Sequence, residues 1–98
     1  MTSTVGKVVS ALEARYPVAL AADWDAVGLV VGDPSATVSS VLFAVDPVMD
    51  VVDEAMDTGA DMIVTHHPLF LRGVHSVAPI TPKGRVVHSL ISHGIALY

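Results

Sequence analysis

The sequence predicts an α/β fold of βαβ units, a mostly parallel sheet flanked by helices, and three observations carry that reading. Val41-Leu42-Phe43-Ala44-Val45 and the segment from Asp61 to Thr65 are short apolar runs rich in strand formers, the pattern of strands covered on both faces. Between them Val48, Val51, Val52, Ala55 and Met56 recur at helical spacing, with Gly59 placed to stop the helix. The same grammar then repeats. Thr81 caps, Pro82 opens, Val86-Val87 and Leu90-Ile91 form an apolar stripe, Gly94 ends it, and Ile95-Ala96-Leu97-Tyr98 begins a third strand.

The remaining elements follow in order along the chain. Val5, Val8, Val9 and Leu12 share one helical face, so a first helix is expected over Thr4 to Arg15, with Ser3 or Thr4 as its cap and Pro17 as its stop. Ala19 to Asp25 is a connector that carries the only Trp. Gly28 to Gly32 is a short extended candidate, and Asp33-Pro34-Ser35 reads as a turn. Asp46 stands where a helix cap is wanted and Pro47 at the first helical position. From Val41 to Thr65 this makes one βαβ unit, for which a right-handed crossover is expected. Pro68 to Ile80 is a loop long enough to shape a site. The chain stops at Tyr98 inside an apolar strand, so residues 1–98 read as one α/β domain or domain fragment, the N-terminal part of a larger, truncated α/β domain.

Composition narrows the function classes. The chain is 52% hydrophobic and 15% charged, a balance that folds. A domain of this length buries only about 60–65% of the surface its unfolded chain exposes, which leaves apolar surface looking for a cover and points to a homo-oligomer or to a piece of a larger protein. The net charge is −5, and the five cations Lys7, Arg15, Arg72, Lys83 and Arg85 form no stripe along the sequence, so there is no footprint for nucleic acid. With no cysteine, thiolate metal sites and cysteine nucleophiles are excluded, and ligands must offer oxygen or nitrogen. No apolar run approaches the roughly 20 residues of a membrane span, and cytoplasmic residence is the expectation.

Thr65-His66-His67-Pro68 is where chemistry is expected. The imidazoles sit at the carboxyl end of a strand, the rim on which open α/β sheets carry their sites, and imidazole is a common ligand of transition metals. Side chains of adjacent strand residues diverge, so the two rings converge only if the strand ends near Thr65, an ending that Pro68 favours. Alternatively, each ring serves a different ion of a two-metal site. Carboxylates must complete the shell. Asp46, Asp23 and Asp25 are the candidates, with helix capping as the competing role for Asp46 and turn formation for the other two. His75, His88 and His93 read as structural or solvated.

Asp23-Trp24-Asp25-Ala26-Val27-Gly28-Leu29, the strand ending at Asp46, Gly59-Ala60-Asp61, Thr65-His66-His67-Pro68-Leu69-Phe70 and Ile95-Ala96-Leu97-Tyr98 resemble, in order and spacing, the dinuclear metal-centre proteins named GTP cyclohydrolase 1 type 2 homologs. The resemblance covers nearly the entire chain. It implies two divalent ions, of zinc, iron, manganese or magnesium, with His66 and His67 among their ligands. It also implies an aspartate shortly after the last strand and a histidine and a glutamate much later, which have no counterpart in these 98 residues. Family members resemble metal-dependent hydrolases and assemble into rings, and the name implies a nucleotide or other small-molecule substrate attacked at purine C8. A non-catalytic metal-binding or regulatory protein, or a truncated scaffold without competent chemistry, is the alternative.

Overall fold

The computed structural model describes residues 2–98. Its elements are β1 (Ser3–Thr4), α1 (Val5–Arg15), a single 3-10 turn (Val18–Leu20), β2 (Thr37–Val38), β3 (Val41–Ala44), α2 (Met49–Thr58), β4 (Met62–Thr65), α3 (Pro82–Ser92) and β5 (Ala96–Leu97). β3, β4 and β5 form a parallel sheet with β4 in the middle, and β1 pairs with β2 in a separate antiparallel ladder. The expected α/β class with a parallel sheet is therefore observed. Register runs from Val41 opposite Met62 to Ala44 opposite Thr65, and from Met62 opposite Ala96 to Ile63 opposite Leu97.

β4 explains the layering. Its side chains alternate between the faces of the sheet, and Met62, Ile63 and Val64 are all buried, so both faces need cover. Ile63 and Leu97 pack with Val52 and Ala55 of α2 and with Val86, Val87 and Leu90 of α3. Met62, Val64 and Ala96 face the other way, into a cluster with Val5, Val38 and the α1 residues Val8, Val9 and Leu12. Each fully buried aliphatic side chain contributes about 1.5–3 kcal/mol. Asp61 aligns the strands at their start: its Oδ2 accepts from the backbone N–H groups of Ser39 at 2.8 Å and Ser40 at 3.2 Å.

Helix boundaries follow their caps. Thr4 Oγ1 accepts from the Lys7 N–H at 3.2 Å, and Thr81 Oγ1 from the Gly84 N–H at 3.0 Å with Pro82 opening α3. Gly59 closes α2 in the left-handed conformation, φ 73°.

Several expectations are corrected. β3 is covered on both faces only in part: it is an edge strand, with Phe43 69% exposed and Val45 also exposed. Asp46 and Pro47 do not open α2. Val48 is the N-cap, and valine has no side-chain acceptor to offer the helix, while Asp46 Oδ1 lies against His67. Gly28 to Gly32 forms no regular strand. Val31 bridges antiparallel to Leu97, with Val30 N–H donating to Leu97 O at 2.8 Å and Leu97 N–H to Val31 O at 2.8 Å. This covers the β5 edge, which a truncated chain is expected to expose, and among the described residues the edge strand without a further neighbour is β3.

Two glycines separate conformational from steric demand. Alanine at Gly59 meets nothing within 4 Å and suffers only the left-handed backbone, a cost of about 1–2 kcal/mol. At buried Gly84 a methyl group would overlap the backbone oxygen of Ala78, which has no flexible side chain to yield. Urea denaturation is expected to show Gly84→Ala losing about 3 kcal/mol or more, well beyond Gly59→Ala. Equal midpoints for the two variants would refute the packing of α3 on the Ala78 segment.

Candidate metal centre

Thr65, His66 and His67 leave the sheet at the carboxyl end of β4. Successive N–H groups of a regular strand point to opposite sides, yet His66 N–H donates to Ala44 O at 3.2 Å and His67 N–H to Val45 O at 2.9 Å, both toward the same neighbouring segment. The strand has therefore ended. Thr65 Oγ1 donates to the His67 carbonyl at 2.7 Å and closes the turn, and Pro68 follows. As a result the two imidazoles do not diverge: their ring centroids are 4.9 Å apart with planes inclined at 47°.

The second ring is held from outside the motif. His67 Nδ1 lies 2.6 Å from Asp46 Oδ1, the residue two beyond the end of the neighbouring β3. An ionised carboxylate only accepts, so Nδ1 carries the hydrogen and donates. In the neutral imidazole that arrangement puts the lone pair on Nε2. A carboxylate behind an imidazole in this way favours the tautomer and ring orientation a metal ligand requires. Both partners are more than half exposed, and such a pair contributes at most about 1 kcal/mol to stability. Its consequence is orientation.

The other candidates lie at different removes. Asp25 lines a small cavity of about 70 Å³ together with Thr65, His66, His67 and Tyr98, while its own Oδ1 accepts from the Ala26 N–H at 2.8 Å. Asp23 is not among the residues lining that cavity. His93 Nδ1 is 2.8 Å from the Ser89 carbonyl on α3 and serves the helix end. Tyr98 borders His66, and its hydroxyl donates weakly to Glu13 Oε2 at 3.5 Å. Burial first, and then the charge and hydrogen bond of Glu13, push the Tyr98 phenol above its usual value of 10.0. The sequence places the carboxyl end of the last strand on the rim of Asp46 and His66 through its parallel direction, without assigning Tyr98 a role there.

The residues present fit half of a metal shell. Adjacent imidazoles and an orienting carboxylate suit a borderline divalent ion. Among the described residues, no three histidine, aspartate or glutamate side chains are grouped so as to hold one ion.

Asp46→Ala is expected to release the His67 ring and shift it away from the Nδ1–H tautomer, whereas Asp46→Asn retains an acceptor and much of the preference. Long-range ¹H–¹⁵N spectra of the imidazole at alkaline pH read this directly. Identical ring nitrogen shifts in the wild type and the alanine variant would rule out the orienting role.

Comparison with known proteins adds the family. Residues 3–98 match the model of Duf34/NIF3 (NGG1p interacting factor 3). A Streptomyces coelicolor protein named GTP cyclohydrolase 1 type 2 homolog is 58% identical over 94 residues, which are 96% of this chain and 33% of that protein. The Mycobacterium tuberculosis protein of the same name is 47% identical over 98 residues, all of this chain and 25% of that one. Among solved structures, Staphylococcus aureus protein SA1388 superimposes with a TM-score of 0.91 at 36% identity, covering 97% of this chain and 27% of its own. The chain thus spans between a quarter and a third of these relatives.

Proposed function

Since this chain belongs to the Duf34/NIF3 family, we propose that it supplies the paired-histidine part of a dinuclear divalent-metal site in a metal-dependent hydrolase, the reaction class that its relatives' name suggests. The observation that carries this reading is the geometry at the end of β4: two imidazoles side by side, one of them held at Nδ1 by Asp46. His66 and His67 would hold the ions. Asp46 orients His67, and Thr65 ties down the turn that brings both rings to one side. When bound, a pair of divalent ions supplies Lewis acidity and an activated water for hydrolysis.

One observation favours a narrower role for the segment by itself. With no third ligand grouped with the histidines among the described residues, these 98 residues form a scaffold that carries two ligands, and competent chemistry needs further groups. A non-catalytic metal-binding or regulatory role is the second reading. Bound metal without turnover of GTP or simple phosphoesters would favour it.

Competition titration of zinc or manganese against a chromophoric chelator tests the ligands. His66→Ala and His67→Ala are expected to abolish measurable uptake, and Asp46→Asn to weaken it by about 10–100-fold. Unchanged affinity in both histidine variants would defeat the proposal.

The exposed surface motivates a second proposal, self-association. Tyr16, Leu20, Trp24, Phe43 and Ile80 are each more than two-thirds exposed, and the edge of β3 is unpaired. Exposed apolar patches and open edges of this kind pair with other chains. Light scattering at micromolar concentration should give a mass above that of the monomer, and Phe43→Lys should lower it. A monodisperse monomer would overturn the expectation.

A further inference from the structure

Beside the histidine rim lies a second, larger cavity. It measures about 360 Å³ and is lined by Asp46 and His67 together with Lys83 and Arg85 from the start of α3. We propose that this cavity is a phosphate-binding subsite, with Arg85 and Lys83 as its cations, which receives the anionic group of a small phosphorylated substrate whose reacting part reaches the histidines. The assignment deepens the hydrolase reading and rests on it for the identity of the reacting end.

Charge is the first argument. The chain carries net charge −5 and only five lysines and arginines, yet two of the five share one cavity wall. Neither has a carboxylate partner among the described residues, where the ion pair is that of His67 with Asp46. Their place is also wrong for stabilising the helix. Both lie in the first turns of α3, which contain no acidic residue in the opening turn, and cations there lose about 0.3–1 kcal/mol each against the helix dipole. The Lys83 ammonium stands 5.6 Å from the centre of the Phe70 ring, which steadies its stem without neutralising its charge.

Shape supplies the second argument. The volume falls in the range of small-molecule pockets, and Met49, Leu69 and Val86 give the cavity apolar walls that concentrate the field of the two cations. Lys83, Arg85 and Asp46 sum to one positive charge, so an anion is attracted even with the Asp46 carboxylate in view. Two cations on separate side chains suit a tetrahedral dianion better than a planar carboxylate, which one guanidinium satisfies. A nucleic-acid backbone would need a longer basic track than five scattered cations provide.

The test is a titration of inorganic phosphate into protein stripped of divalent ions on a chelating resin, followed by ¹H–¹⁵N amide shifts. Saturable shifts are expected at Gly84, Arg85, Val86 and His67. Arg85→Gln should weaken binding about tenfold or more, as expected for losing one charged hydrogen-bonding group, and Lys83→Gln should weaken it to a lesser degree. Both side chains are exposed, so the variants should keep the dispersed spectrum of the folded chain. Acetate should bind at least about tenfold more weakly than phosphate. Shifts that do not saturate, equal affinity in both variants and the wild type, or acetate binding as tightly as phosphate would each overturn the subsite. Because divalent ions are absent, that failure leaves the metal assignment standing, and unchanged metal uptake in the histidine variants would leave the subsite standing.

Discussion

The whole rim depends on burying β4 between two parallel neighbours. A strand of Met62, Ile63 and Val64 has no polar face to offer water, so α2 and α3 must cover one side and α1 the other. Parallel pairing then brings the carboxyl ends of β3, β4 and β5 to the same edge of the sheet. Asp46, His66 and Tyr98 follow those three strand ends. Their proximity is a consequence of register, which Asp61 helps to hold from the opposite end of the strands.

The rim shows local rules giving way to one another. Asp46 is well placed in sequence to cap α2, and capping is worth about 1 kcal/mol. It bonds to His67 instead, and α2 starts later, behind Val48, without a side-chain cap. An exposed ion pair returns little stability. The energetic gain of this exchange is therefore small, and what it secures is the position and tautomer of one imidazole. Lys83 and Arg85 likewise sit toward the unfavourable end of the α3 dipole while lining the cavity beside that pair.

Exposed apolar surface separates into two kinds. Val31 seals one edge of the sheet by bridging to Leu97, and Ile95, Ala96 and Leu97 are buried. The opposite edge, with Phe43 and Val45, remains open, as do Tyr16, Leu20 and Trp24 on the connector side. A chain that spans a quarter to a third of its relatives' length is able to build a covered central strand because the βαβ unit is local in sequence. The β3 edge lacks that local cover.

Periodicity and punctuation in the sequence determined the parallel α/β class, the three main helices, the cap at Thr81 and the stop at Gly59, and narrowed the first cap to Ser3 or Thr4, since each depends on neighbours a few residues away. The same local reading located the histidine pair and identified Pro68 as a reason for the strand to end before it. Only the tertiary structure decided that β4 is central and β3 an edge, that Val31 covers β5, and that Asp46 meets His67 across 21 positions. Nor could spacing show that Lys83 and Arg85 would line one cavity with Asp46 and His67. Strand order and the neighbours of a loop depend on which surfaces find cover when the whole chain packs. No window of sequence contains that information.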